Sequence, residues 1–179
     1  WAAISYESWS ATCDTLHAHT QVLGKLAVEL APPEPQLQHA ALRLSARGWE
    51  TLALPAPDGS GAIVAGLDLR THEALVEHSD GRERRFALTP HRPVAEVTGE
   101  VLEAVGRLAG AVEINPTPQE VPWKVPLDED REHATYEPDQ VASVGLQPRR
   151  TKAGKASSTP PTTTRFSGSP LRDPDSLVA

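Results

Sequence analysis

Residues 73–88, EALVEHSDGRERRFAL, commit the centre of this chain to antiparallel pairing. Two runs that alternate apolar and polar residues flank Asp80-Gly81, a pair suited to a tight hairpin turn with positive φ. The Arg-rich return run keeps one face in water. A hairpin cannot bury its apolar face alone, so neighbouring segments must supply more strands and a covering layer.

The flanking sequence meets that demand. HAALRLSARG sets Leu42 and Leu44 on one face, WETLALP sets Trp49, Thr51 and Ala53 opposite Leu52 and Leu54, and AIVAGLDL is nearly continuous in apolar residues. On the N-terminal side, Trp9, Cys13, Leu16 and Leu23, extended by Thr20, share one helical stripe and predict a helix from Glu7 to about Leu23. Leu26, Val28 and Leu30 then alternate like a short strand before Pro32, Pro33 and Pro35. After the hairpin, Val94, Val97, Val101, Val105 and Leu108 predict an amphipathic helix that stops at Gly110, and AVEIN reads as a short strand. The expected fold is α+β: an antiparallel sheet of about five to seven strands with two helices packed on it.

Beyond Asn115 the chain turns Pro-rich and acidic. PTPQEVPWKVPLDEDREHATYEPD is expected to lie extended across the domain, anchored by Val121, Trp123, Val125 and Leu127. From about Gln140 onward few large apolar residues remain, too few to offset the entropy of ordering, which predicts a domain over 1–139 and a disordered tail over 140–179.

Bulk properties exclude some functions. The net charge of −7 argues against nucleic acid, whose phosphates demand a basic stripe. No run of eighteen apolar residues is present to span a membrane. One cysteine, Cys13, rules out an intramolecular disulfide and a Cys-rich zinc site; the expected compartment is the cytoplasm. The chain begins at Trp1 and contains no methionine, so its start is expected to be trimmed or missing.

Four stretches, WAAISYESWSATCDTLHAHTQVLGKL, QHAALRLSARGWETLALP, LDLRTHEALVEHSDG and INPTPQEVPWKVPLDEDREHATYEPD, together resemble, in order and spacing over residues 1–139, a bacterial family known as domain of unknown function 5996. The resemblance implies a shared architecture and a set of polar motif positions, without an established activity. It also implies bulky aromatics after the histidine matching His39, where this chain has Ala40 and Ala41, and around the aspartate matching Asp68, where it has Leu67 and Leu69. Smaller residues there are expected to leave packing gaps unless neighbours compensate. The resemblance also implies an ordered, aromatic-rich second half ending near TRFSG, a string found here within TTTRFSGSP at 162–170, directly after LQPRRTKAGKASSTPP. Loss or frameshift of the intervening segment is the expected cause, with chance similarity of a short string as the alternative.

The polar candidates are His17, Gln21, Lys25, His39, Asp68, His72 and Glu120. At 100° per residue His17 and His19 stand roughly 160° apart and cannot share a metal. His17 and Gln21 do share a side, flanked by Ser10 and Asp14, and Lys25 follows Gly24, where the helix is expected to end. His39 is expected to begin a strand, and His72, four residues after Asp68, to hydrogen-bond it across a turn. No close-spaced metal signature is present, so no metal site is assigned; His17, His39 and His72 make one only by converging with Asp68 or Glu120. His78, His91 and the acidic run DEDREH are expected to be solvated. The preferred function is a domain that binds a small molecule or a protein partner through this polar cluster, its ligand and any cofactor left open. The alternatives are a hydrolytic or metal-assisted enzyme using the same His/Asp/Glu set, and a truncated family member without function.

Overall fold

The computed structural model describes residues 5–145. Helix α1 (Ser10–Leu30) opens the fold, followed by strands β1 (Arg43–Leu44), β2 (Gly48–Glu50), β3 (Leu54–Pro55), β4 (Ala62–Asp68), β5 (Glu73–His78) and β6 (Glu83–Ala87), then helices α2 (Val94–Ala109) and α3 (Pro138–Gly145). The six strands form one antiparallel sheet in the order β1-β2-β4-β5-β6, with β3 also paired to β4. The α+β architecture expected from the sequence is the one observed.

The hairpin turns as the sequence predicts. His78 N–H donates to the Arg82 carbonyl at 2.8 Å, and Gly81 N–H to the His78 carbonyl at 2.9 Å, with Gly81 at φ +92°. That is a three-residue loop closed by a residue in the left-handed region, which glycine occupies without steric cost.

Pairing register assigns the two faces. Ile63, Ala65 and Leu67 of β4 lie beside Val76 and Ala74 of β5 on the helix-covered face, all buried in one core with Leu16, Leu23 and Leu26 of α1 and Val97, Val101 and Val105 of α2. The opposite face carries ion pairs: Arg47 joins Glu77 at 2.9 Å and Glu50 at 3.4 Å, and Arg85 reaches Glu73, Glu77 and Glu83 at 3.2–3.6 Å. Leu67 and Leu69 are each 3% exposed, so the smaller residues around Asp68 leave no open gap.

Three expectations fail. Residues 26–30 are the last turns of α1, because Leu23, Leu26, Ala27 and Leu30 recur at helical spacing onto the core while Val28 is exposed. Gly24 costs a helix about 1 kcal/mol, and burying Leu26 more than offsets that. AVEIN is not a strand; past Gly110 (φ +101°) the chain runs extended without joining the sheet. His39 lies in a 3-10 segment, Pro35–Ala40, kinked at Gln36 and Leu37, both near φ +57°.

Residues 111–137 form a strap across the helices, as expected from its apolar anchors: Leu127 is fully buried, and Val121, Trp123 and Val125 are half-buried. Its carbonyls at Asp130 and His133 accept from Ala95 and Val94 N–H, satisfying donors at the start of α2. Gln140 of α3 accepts from the Thr12 hydroxyl at 2.7 Å and donates to the Ser8 carbonyl at 3.1 Å, tying the end of this unit to its beginning. Of the expected tail, residues 140–145 belong to α3; the rest, with the TRFSG string, lies outside the described residues.

Candidate functional site

Because α1 continues beyond Gly24, His17, Gln21, Lys25 and Val28 fall on one helical stripe at intervals of three and four residues. That stripe forms one wall of a cleft of about 210 Å³; Leu37 and Ala40 of the 3-10 segment and Gln119 and Glu120 of the strap form the others. His17 also borders a second, more apolar pocket of about 380 Å³, lined by Trp9 just before α1, by Cys13, Leu16 and Thr20 of α1, and by Leu42 and Trp49. The two cavities share His17 and lie between α1 and residues 37–49. One is polar and the other apolar, and they adjoin at His17 along a groove beside α1. Leu37 and Glu120 both hold left-handed backbone, at φ +57° and +59°, a costly conformation for such residues that tends to gather at functional sites.

Four of the seven polar residues singled out in the sequence therefore meet here: His17, Gln21, Lys25 and Glu120. Gln21 is a clasp. Its side-chain carbonyl accepts from Gln119 N–H at 2.9 Å and its amide donates to the Gln119 carbonyl at 3.1 Å, pinning the strap to α1. Lys25 is 9% exposed, and burial lowers its pKa. The other three residues go elsewhere. His39 is buried and its Nδ1 accepts from Glu34 N–H at 3.0 Å. The expected bond between His72 and Asp68 is absent: His72 Nδ1 pairs with the Tyr136 hydroxyl at 3.0 Å, while Asp68 accepts from the backbone N–H of Arg70 and Thr71. Asp68 is thus spent on its own turn, and the strap delivers the partner of His72. His17, His39 and His72 do not converge, and among the described residues no group of three or more His, Cys, Asp or Glu is placed to hold a metal ion.

The chain matches one family model, a family of unknown function (DUF5996), over residues 1–148. The chain belongs to DUF5996. No curated protein and no solved structure matches it.

Two polar clusters of this DUF5996 domain were not foreseen in its sequence. DEDREH is not simply solvated: Asp130 is 1% exposed and binds His133 Nδ1 at 2.7 Å and the N–H groups of Glu132 and His133. The ring of His133 packs on Trp123 at 4.3 Å, and Trp123 meets His17 edge-on at 5.5 Å. The strap so fixes the histidine at the junction of the groove; the apolar Trp123 and Leu127 upstream were the available signal. His78, expected to be solvated, is 5% exposed. Its Nε2 lies 3.1 Å from Ser60 Oγ and its Nδ1 2.9 Å from Asp80 Oδ1. Ser, His and Asp stand in the order of a hydrolytic triad, but Asp80 N–H also points at Nδ1 from 3.2 Å, and Ser60 sits on an exposed turn. Both ring nitrogens are satisfied, which is what a buried histidine stitching two loops requires.

Buried beside α2, His19 of DUF5996 has no hydrogen-bond partner for Nδ1 among the described residues, and burial, reinforced by Arg92, lowers its pKa to about 4. Cys13 shows the opposite sign: burial and the Asp14 charge raise its thiol pKa, which makes it a poor nucleophile.

Proposed function

We propose that this domain binds a small amphipathic molecule in the groove between α1 and residues 37–49, and is not itself built for catalysis. The observation that carries this reading is the shared wall at His17: a cleft lined by Gln21, Lys25 and Glu120 opens beside a pocket lined by Trp9, Leu16, Leu42 and Trp49. Concave sites of a few hundred Å³, apolar with a few convergent polar groups, are the usual form of small-molecule sites. The scatter of His39 and His72 away from His17 weakens the enzyme alternative. Composition, with a single cysteine, supports a cytoplasmic setting. Among the described residues, no helix is long and apolar enough to cross a membrane.

Octanol serves as a probe with an apolar body and an uncharged polar head. A saturable change in the fluorescence of the full chain is expected on titration, since Trp9 and Trp49 line the apolar compartment. Ala40→Phe, which fills the cleft wall, is expected to weaken that binding several-fold while the protein melts cooperatively. No saturable change, or binding indifferent to Ala40→Phe, contradicts the proposal.

A further inference from the structure

We propose that the groove takes an organic monoanion, with its carboxylate at Lys25 and its apolar body laid past His17 toward Trp9, Leu16 and Trp49; this inference rests on the groove being the binding site. Lys25 is 9% exposed and lines the cleft. Among the described residues it makes no ion pair, neither with Glu29 one turn further along α1 nor with Glu120 across the cleft. Other half-buried cations are matched: Arg47 by Glu50 and Glu77, Arg85 by three glutamates, Arg92 by Glu96 and Glu100. A cation whose stem is covered by the fold and whose head opens on a cleft has few polar partners and no counter-ion, and an entering anion supplies the missing charge.

The depressed pKa of Lys25, caused by burial, agrees with this geometry, because the ammonium has nothing nearby to favour it. Glu120 limits the ligand. With Glu120 already bringing a negative charge to the cleft, a phosphate dianion meets more repulsion than a monoanion, and no second cation lines the cleft to offset it. The neighbouring apolar compartment excludes small inorganic anions as good ligands, since they leave it unfilled.

The ionisable groups that line the cleft with Lys25 are His17 from α1 and Glu120 from the strap. Lys25 must carry its charge to hold an anion, and burial already lowers its pKa. Anion binding favours the ammonium, so octanoate affinity must fall as alkaline pH deprotonates Lys25.

Octanoate, octanol and octylamine share one apolar body and differ in head charge. Titrated into the full chain, octanoate is expected to bind about tenfold more tightly than octanol. Octylamine is expected to bind no better than octanol. Lys25→Gln should bring octanoate down to the octanol level without moving octanol itself, and should abolish the alkaline loss of octanoate affinity although Cys13 is intact. Glu120→Gln, at an exposed position, should tighten octanoate several-fold. Equal binding of octanoate and octanol, or an octanoate advantage that survives in Lys25→Gln, overturns the anion assignment while leaving the groove as a binding site. Failure of all three probes to bind saturably overturns the reading beneath it as well.

Discussion

His78 and Lys25 are both nearly buried polar residues of the same domain, 5% and 9% exposed, yet they stand in opposite states. His78 has Ser60 on one ring nitrogen and Asp80 on the other. Lys25 has no counter-ion among the described residues, and a cleft opens beside it. A buried polar group whose bonds are complete inside the fold adds specificity and stability and leaves nothing for a ligand to do. One whose bonds are incomplete, and which water and solutes can reach, marks where a ligand gains most. By that criterion the Ser60–His78–Asp80 array is architecture, and the cleft at Lys25 is the proposed site. His19 is a third case: incomplete like Lys25, but enclosed, so its signature is pH sensitivity of folding.

His19 gives the largest expected effect. With a folded-state pKa of about 4 against 6.5 unfolded, the unfolded chain binds the extra proton in that interval. Stability therefore falls as pH drops from about 6.5 to about 4, by about 3 kcal/mol, and does not fall further on this account below that range. Denaturant melts across this range check it, and His19→Leu should remove about one proton from the slope. An unchanged slope means that His19 is not the group.

Next is the completed array. His78→Leu leaves Ser60 and Asp80 without their shared partner and is expected to cost about 2 kcal/mol, read from the denaturation midpoint. Ser60→Ala keeps the ring buried and should cost about 1 kcal/mol. An active-site fluorophosphonate is not expected to label Ser60; stoichiometric labelling lost in Ser60→Ala would turn the array from architecture into a nucleophile site.

At the incomplete site the sign reverses. Lys25→Met keeps the length of the stem and removes an unpaired charge, so it is expected to stabilise the fold by about 1 kcal/mol while abolishing any preference for anions. A loss of stability would show that the ammonium has a partner after all. Smallest is Gly24→Ala: a methyl there comes no nearer than 3.9 Å to the Ala40 carbonyl, so helix propensity acts alone, stabilising by about 0.5–1 kcal/mol.

The residues that sequence reading placed well are those whose environment is set locally. The hairpin around Asp80-Gly81 and the helix Val94–Ala109, stopped by Gly110, follow from alternation, helical period and turn chemistry among near neighbours in the chain. What was lost depended on distant segments. Leu26 and Leu30 satisfy a two-residue period as well as a helical one, and only packing of Leu26 and Ala27 on the core decides between them. Ending the helix at Gly24 hid the stripe that puts Lys25 in register with His17 and Gln21. Asp68 and His72 are close in sequence, but the partner of His72 is Tyr136, sixty-four residues away. The same holds for Asp130, which looks solvated in an acidic run until the strap is laid down. Ala40, notable in the sequence for being small, became meaningful once it formed the wall opposite α1.

The account turns on whether Lys25 lacks a counter-ion that a ligand can supply. Its side-chain pKa, followed by the ¹³Cε resonance of labelled lysine in the full chain and assigned by Lys25→Gln, tests this most directly. The expected result is a value below the ordinary 10.5 in the free protein, rising when octanoate is added. A value at or above 10.5 that octanoate leaves in place would contradict it.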